Sequence, residues 1–207
     1  MTKAVCILSG GMDSTTLLYD MVKKYKVEAI SFDYGQKHFK ELRYARKTCE
    51  KLGVKCVSVK IPNILGGNAL TEDTIDVPEG HYADANMKTT VVPNRNSIFI
   101  NLAIGYAISI GATVVGYGAH AGDHTIYPDC RPVFLEAMRE VAKLCDYTPI
   151  EIYAPFINMT KGEVAVLGKE LGVDFDLTWS CYKGGEEHCG KCGTCVERIE
   201  ALKEAFK

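Results

Sequence analysis

An apolar run, Ala4 to Leu8, leads directly into Ser9-Gly10-Gly11-Met12-Asp13-Ser14, and no other stretch of this chain restricts the fold as much. A short run rich in apolar and β-branched residues reads as a buried strand. Two glycines then let the backbone turn through unusual dihedrals and come close to a ligand. From Ser14 to Tyr25 the apolar positions Leu17, Leu18, Met21, Val22 and Tyr25 share one helical face. A strand, a glycine turn and a helix start aim unpaired amide N–H groups at one spot, which attracts phosphate. Ser9, Ser14, Thr15 and Thr16 add hydroxyl donors, and Asp13 is a candidate magnesium ligand beside such an anion. Gly-Gly alone would mean only a turn; the combination argues for a phosphate site. No Lys-Ser or Lys-Thr pair follows the glycines at Walker A spacing, nor does the loop match GxGxxG, so kinase-like and dinucleotide-binding loops are disfavoured.

With 207 residues, 47% of them hydrophobic, the chain can bury one sizeable core. A formal charge of −2 argues against a dedicated nucleic-acid surface. No apolar run approaches a membrane span, and the chain starts almost at once on a core strand, so the expectation is a protein of the reducing cytoplasm. Nine cysteines in that setting point to metal binding or buried thiols rather than a disulfide framework.

Strand and helix patterns alternate. Strands are expected at Val27–Asp33, Val54–Ile61, Thr113–Tyr117 and Ile150–Tyr153, and helices at Phe39–Leu52, Asn96–Ile110, Val133–Leu144, Lys161–Leu171 and Cys192–Phe206. Asn96–Ile110 is apolar on nearly all sides, which predicts deep burial. Residues 62–94, with Gly66-Gly67, Pro78, Gly80 and Pro93, read as a long loop. Repeated β-α-β units predict an α/β fold with a doubly wound, parallel, five-stranded sheet. The expected division is a main domain over 1–175 and a small C-terminal metal-binding segment with its helix over 176–207. Ligands of such sheets sit beyond the strands' C-terminal ends, where Ser9–Ser14, Tyr34–Gln36 and Gly118–Arg131 should converge.

Cys181, Cys189, Cys192 and Cys195 form C-x7-C-x2-C-x2-C, with Gly190 and Gly193 relieving the crowded backbone. Four thiolates so spaced suit a closed, structural, tetrahedral zinc site, with an iron–sulfur cluster as the alternative. Glu186, Glu187, Lys191 and Thr194 make the segment too polar for unliganded core cysteines. His188, beside the cluster, reads as a neighbour of the site rather than a ligand.

The SGGMDS loop resembles the pyrophosphate loop of the ATP pyrophosphatase superfamily, whose members split ATP into AMP and pyrophosphate. The likeness extends nearly end to end. LSGGMDSTTLL (Leu8–Leu18), FDYGQ (Phe32–Gln36), VPNRN (Val92–Asn96), YPDCR (Tyr127–Arg131), TKGE (Thr160–Glu163) and WSCY (Trp179–Tyr182) running into the cysteines resemble the 7-cyano-7-deazaguanine synthase family. The resemblance implies an adenine nucleotide alpha hydrolase-like fold and an ATP-dependent carbon–nitrogen ligase of queuosine or archaeosine precursor synthesis. Such an enzyme converts 7-carboxy-7-deazaguanine and ammonia to the nitrile through adenylated acid and amide intermediates. It further implies one structural zinc, magnesium with ATP, no nucleic-acid or membrane partner, and a homodimer.

On that reading Leu8, Ser9, Gly10, Gly11, Met12, Asp13, Ser14, Thr15, Thr16, Leu17 and Leu18 hold ATP. Asp13, Lys161 and Arg95 are the catalytic candidates, because a departing pyrophosphate needs cations and a metal ligand. Arg95 starts an otherwise apolar helix, an odd place for a cation without an anion. Asp129 and Arg131 are candidates for the guanine-like edge and the carboxylate of the substrate. Tyr127 and Gln36 complete the substrate set, with Tyr34, Phe156 and Trp179 as further stacking candidates and His38, His120 and His124 as candidate proton shuttles. Two rivals remain at this point. A tRNA-thiolating relative would need a basic surface and a catalytic cysteine, and a nucleotide-binding adaptor would use its metal knuckle to recruit a partner.

Overall fold

Strand β1 (Lys3–Ile7) lies at the centre of a parallel sheet and is covered on both faces, which is why its sequence runs apolar without alternation. In this computed structural model, which describes residues 1–62, 64–81 and 85–207 without the side chain of Asn86, the strand order is β3-β2-β1-β4-β5. β2 spans Lys26–Asp33, β3 Lys55–Lys60, β4 Val114–Gly116 and β5 Glu151–Tyr153. Register is set by pairs such as Val5 with Glu28 and Val5 with Val115. The chain reverses direction of travel across the sheet between β1 and β4. That switch point opens a crevice at the strands' C-terminal ends.

Alternate residues of β1 feed different cores. Val5 packs with helices α3 (Arg95–Ser109) and α4 (Pro132–Lys143) on one face. Ala4 and Cys6 pack with α1 (Met12–Val22), α2 (Glu41–Leu52) and α5 (Lys161–Leu171) on the other. An outer helix, α6 (Gly193–Ala205), lies on α5 and α1, sharing a small cluster that includes Met12, Tyr19, Ala165 and Ala201. Arg198 of α6 is buried and ties down the segment before the cysteines, donating to Thr178 Oγ1 at 2.6 Å and to the Phe175 carbonyl at 2.7 Å. Residues 176–207 are thereby joined to the rest of the chain by core packing and by the Arg198 bond to the Phe175 carbonyl.

Two expectations need correction. Helix α3 buries Asn96, Ile100, Ala103, Ile104 and Ala107, but Asn101, Leu102, Gly105 and Ser109 face outward, so it is covered on one side only. The segment at 62–94 is not a free loop: Leu65, Ala69, Leu70, Val77 and Met87 join the main core, and Ala85–Thr90 forms a 3-10 turn. Its residue Gly80 donates to the Lys191 carbonyl at 3.0 Å, which brings it against the cysteine segment.

Candidate active site and metal centre

The turn after β1 is shaped by Gly10, whose φ of 91° suits glycine and whose missing Cβ lets the carbonyl of Glu41 and the amide of Ala45 come close. Gly11 caps α1 without a side-chain hydrogen bond. The first-turn amides of α1 therefore remain available to an anion. Ser9 and Ser14 join their hydroxyls at 3.0 Å, and Ser9 Oγ accepts from Gly11 N at 3.1 Å, closing a small polar ring. Of residues 8–18, Leu8, Ser9, Gly11, Met12, Asp13 and Ser14 line a cavity in the crevice. Gly10 packs against α2, Thr15 and Thr16 are buried away from it, and Leu17 and Leu18 belong to the core.

Asp13 and Lys161 meet at the loop, Nζ to Oδ2 at 2.5 Å. The capping box of Thr160 and Glu163 starts α5 at this point and so fixes where Lys161 emerges. Burial opposes the Asp13 carboxylate, but Lys161 and His120 outweigh it and hold its pKa below the usual value. Burial likewise opposes the Lys161 ammonium. Asp13, Glu197 and Asp123 overcome it and hold its pKa well above the ordinary lysine value. Glu197 reaches Lys161 at 3.6 Å, and its own pKa is raised by burial. His120 Nδ1 accepts from Gly122 N at 3.1 Å, so a neutral ring carries its proton on Nε2, 3.5 Å from Asp123 and 3.4 Å from Lys161. Asp13 Oδ1 is buried without a hydrogen-bond partner among the described residues, an open acceptor that fits a magnesium ion accompanying phosphate.

Arg95 lines the same cavity together with Tyr34, His38, Glu41, Phe99 and Tyr182. Its Nε donates to Asn96 Oδ1 at 3.3 Å, and it bonds the Tyr34 hydroxyl. Burial works against its charge, but Tyr34 and Tyr182 lead the groups that keep its pKa above the ordinary arginine value.

The remaining candidates are dispersed. Tyr127 lines the cavity, with its hydroxyl 2.8 Å from Thr90 Oγ1. Gln36 is buried behind the wall, accepting from Tyr34 N and donating to the Phe32 carbonyl and to Glu41. Asp129 accepts from Asn96 N at 3.0 Å at the start of α3, and Arg131 is exposed, donating to the His124 carbonyl. Neither Asp129 nor Arg131 lines the cavity. Phe156 is fully buried in the core, whereas Trp179 reaches the cavity wall. Sequence reasoning passed over Glu41, Glu197 and Asp123. Only Glu197 carried a sequence signal, standing two places after a proposed ligand, Cys195, on a helix of fixed phase.

The four cysteine sulfurs lie within 4.8 Å of one another and can hold a metal ion. A tetrahedral zinc with ordinary Zn–S bonds spaces its sulfurs by about 3.8 Å, and Cys189 and Cys195 stand at 3.9 Å. Lys191 N and Cys192 N donate to Cys189 Sγ at 3.4 and 3.3 Å, the pattern that supports a thiolate. His188 stays outside the set, accepting from Ser180 N at 3.1 Å and packing on Trp179 with ring centres 4.4 Å apart. Among the described residues no other group of His, Cys, Asp or Glu is as tightly gathered.

The sequence matches the family described as "Queuosine biosynthesis protein QueC" over residues 3–206. The chain belongs to the QueC family. A curated relative from Methanoregula boonei, named 7-cyano-7-deazaguanine synthase, is 57% identical over 98% of this chain and 95% of its own length. Another with that name, from Caldicellulosiruptor saccharolyticus, is 56% identical over 98% and 91%. This QueC chain is accordingly an enzyme of that family. Among solved structures it is similar to the U34-tRNA thiolase NcsA from Methanococcus maripaludis with its [4Fe-4S] cluster, with a TM-score of 0.54 and 18% identity over 98% of this chain and 64% of that one. It is also similar to an NMN synthetase from Francisella tularensis, with a TM-score of 0.52 and 17% identity over 90% of this chain and 69% of that one. Those two likenesses show the fold, a five-stranded parallel sheet flanked by helices. No helix among the described residues is long and apolar enough to cross a membrane.

Proposed function

We propose that this QueC chain joins ammonia to 7-carboxy-7-deazaguanine at the expense of ATP and delivers 7-cyano-7-deazaguanine. The observation that carries the reading is the uncapped glycine loop with Lys161 and Asp13 at its mouth, inside one cavity with Arg95. The substrate carboxylate attacks the α-phosphorus of ATP and pyrophosphate leaves, giving an acyl-adenylate. Ammonia then adds at the acyl carbon, and AMP departs with its oxygen, leaving the primary amide. A second adenylation on the amide oxygen, with loss of another pyrophosphate, lets AMP leave and the nitrile form as the nitrogen gives up its protons.

The chain's own groups serve these steps. The amides of α1 and the hydroxyls of Ser9 and Ser14 receive the departing pyrophosphate, and Lys161 offsets its growing charge. Bound magnesium, held by Asp13, would supply charge neutralisation at the phosphates. Cys181, Cys189, Cys192 and Cys195 would hold zinc, closed to substrate by having all four positions filled. None of the nine cysteines is joined in a disulfide, which suits a reducing compartment such as the cytoplasm. A homodimer belongs to the same reading, and sedimentation of the purified protein tests it.

Mass spectrometry of a reaction with the acid, ATP, magnesium and ammonium tests the chemistry. The nitrile, AMP and pyrophosphate are expected. An amide that never becomes the nitrile would overturn the second half, and no AMP with any combination would overturn the whole.

A further inference from the structure

Glu41 is a buried carboxyl without a cation. It opens α2, is 8% exposed and lines the cavity. Its Oε1 takes both of its partners, Gln36 Nε2 at 3.2 Å and His38 Nε2 at 3.5 Å. Burial, with Arg95 nearby, pushes the His38 pKa down to about 3, so that ring is neutral and gives Glu41 no ion pair. Glu41 Oε2 has no hydrogen-bond partner among the described residues. Burial pushes the Glu41 pKa up to about 8, although Gln36 and Arg95 both oppose the rise. A carboxyl kept this dry costs stability unless something in the cavity uses it.

Arg95 is its counterpart. The guanidinium has five N–H donors, and among the described residues it forms no ion pair with a carboxylate, its bonds going to Asn96 and the Tyr34 hydroxyl. Its field reaches both Glu41 and His38. The walls around the two are flat and aromatic: Tyr34 and Phe99 have ring centres 5.4 Å apart, and Tyr182 lies 4.9 Å from the His38 ring. Such walls suit a planar heterocycle.

We propose that Glu41 and Arg95 together read the pairing edge of the guanine-like substrate. Glu41 ionises as the substrate binds, its proton passing to solvent, and accepts from the ring N–H and the exocyclic amine, while Arg95 donates to the adjoining ring carbonyl. That edge offers donor, donor and acceptor in a row, the complement of a carboxylate beside a guanidinium. Adenine presents an acceptor nitrogen where guanine has its ring N–H, so the arrangement also keeps the base of ATP out of the substrate's place. Asp129, which the sequence offers for this task, has its carboxylate at the Asn96 amide instead. The assignment rests on the proposed substrate.

The test is direct binding, by calorimetry without ATP, of 7-carboxy-7-deazaguanine and of the analogue lacking the 2-amino group. The unchanged enzyme should favour the complete acid by roughly 30-fold, the effect of one hydrogen bond to a charged group. Glu41→Gln should weaken the acid by at least about 30-fold, reduce its preference over the analogue to under about 3-fold, and leave ATP affinity within about 3-fold. Should that variant fail to fold, Glu41→Asp, which retains the charge but shortens the reach, serves in its place. A structure with the acid bound adds a reading independent of any variant. Preserved discrimination in the variant, a loss confined to ATP, or an acid bound with its amine turned away from Glu41 would each overturn the assignment. Absence of any acid binding by the unchanged enzyme would instead sink the proposed substrate, and this assignment with it.

Discussion

The backbone N–H of Trp179 donates to the carbonyl of Gly10 at 2.8 Å, so the segment that enters the cysteine cluster is bonded to the glycine turn after β1. The Trp179 indole in turn donates to the Cys181 carbonyl at 2.9 Å, and its ring packs on Tyr44 and His188. On the far side of the centre, Cys192 caps α6 and Cys195 lies in its first turn, two residues before Glu197. The cysteine cluster is thus tied to both the Gly10 turn and the helix that carries Glu197.

Loss of the metal should therefore reach the loop. Cys192→Ser, or treatment of the protein with a strong chelator, is expected to lower the melting temperature by roughly 5 °C or more, since metal binding and folding are linked. Pyrophosphate release should slow in parallel. Metal analysis and thermal unfolding check the first outcome. An absorption spectrum of anaerobically purified protein checks the ion, because zinc thiolate is colourless and an iron–sulfur cluster is not.

Lys161→Met removes the cation that faces the loop and leaves Asp13 buried with the His120 ring 3.8 Å from its carboxylate. Pyrophosphate release should fall by about 100-fold or more, the scale of losing one charge-stabilising donor. The Asp13 pKa should climb, since burial is then opposed by less. Rates measured alongside circular dichroism separate this from a folding defect.

Gly10→Ala places a Cβ against the Glu41 carbonyl and the Ala45 amide, both rigid backbone groups, at a φ of 91°. Neither neighbour can move without shifting α2. The variant is expected to lose at least about 3 kcal/mol, as overpacking and backbone strain combine. Denaturant unfolding measures it.

Two buried groups give the stability a pH dependence with opposite signs. Glu41 keeps its proton in the folded state up to about pH 8, while in the unfolded chain it ionises at about 4.3. It therefore erodes stability as pH rises through that window. His38 stays neutral in the fold down to about pH 3, while the unfolded chain protonates it near about 6.5, so it erodes stability as pH falls. Glu41→Gln should gain in melting temperature over the unchanged protein as pH goes from 5 to 8, by at least about 3 °C, the effect of roughly 1 kcal/mol in a chain this long. His38→Gln should gain in the opposite direction, below about pH 6.5.

What a local stretch encodes was legible. The strand running into Ser9–Ser14 carries its turn geometry and its helix start within consecutive residues, and the five parallel strands follow from their own patterns. The cysteines, three of them at every third position in sequence, carry most of their geometry with them. Asp129 and Arg131 show where this stops. They stand two places apart, yet the 3-10 turn at Pro128–Cys130 sends one to the start of α3 and the other outward to His124.

By itself, then, the sequence determined the order of the elements, the glycine turn after β1 and the spacing of the clustered cysteines, because each depends on backbone preferences and spacing over a few residues. Tertiary structure alone decided that Glu41 of α2 and Arg95 of α3 share one cavity, and that Glu197 of α6 approaches Lys161 of α5. These are meetings of residues distant in the chain. What unites them is the closing of helices over a sheet edge, and the energy that drives that closure comes from apolar residues elsewhere.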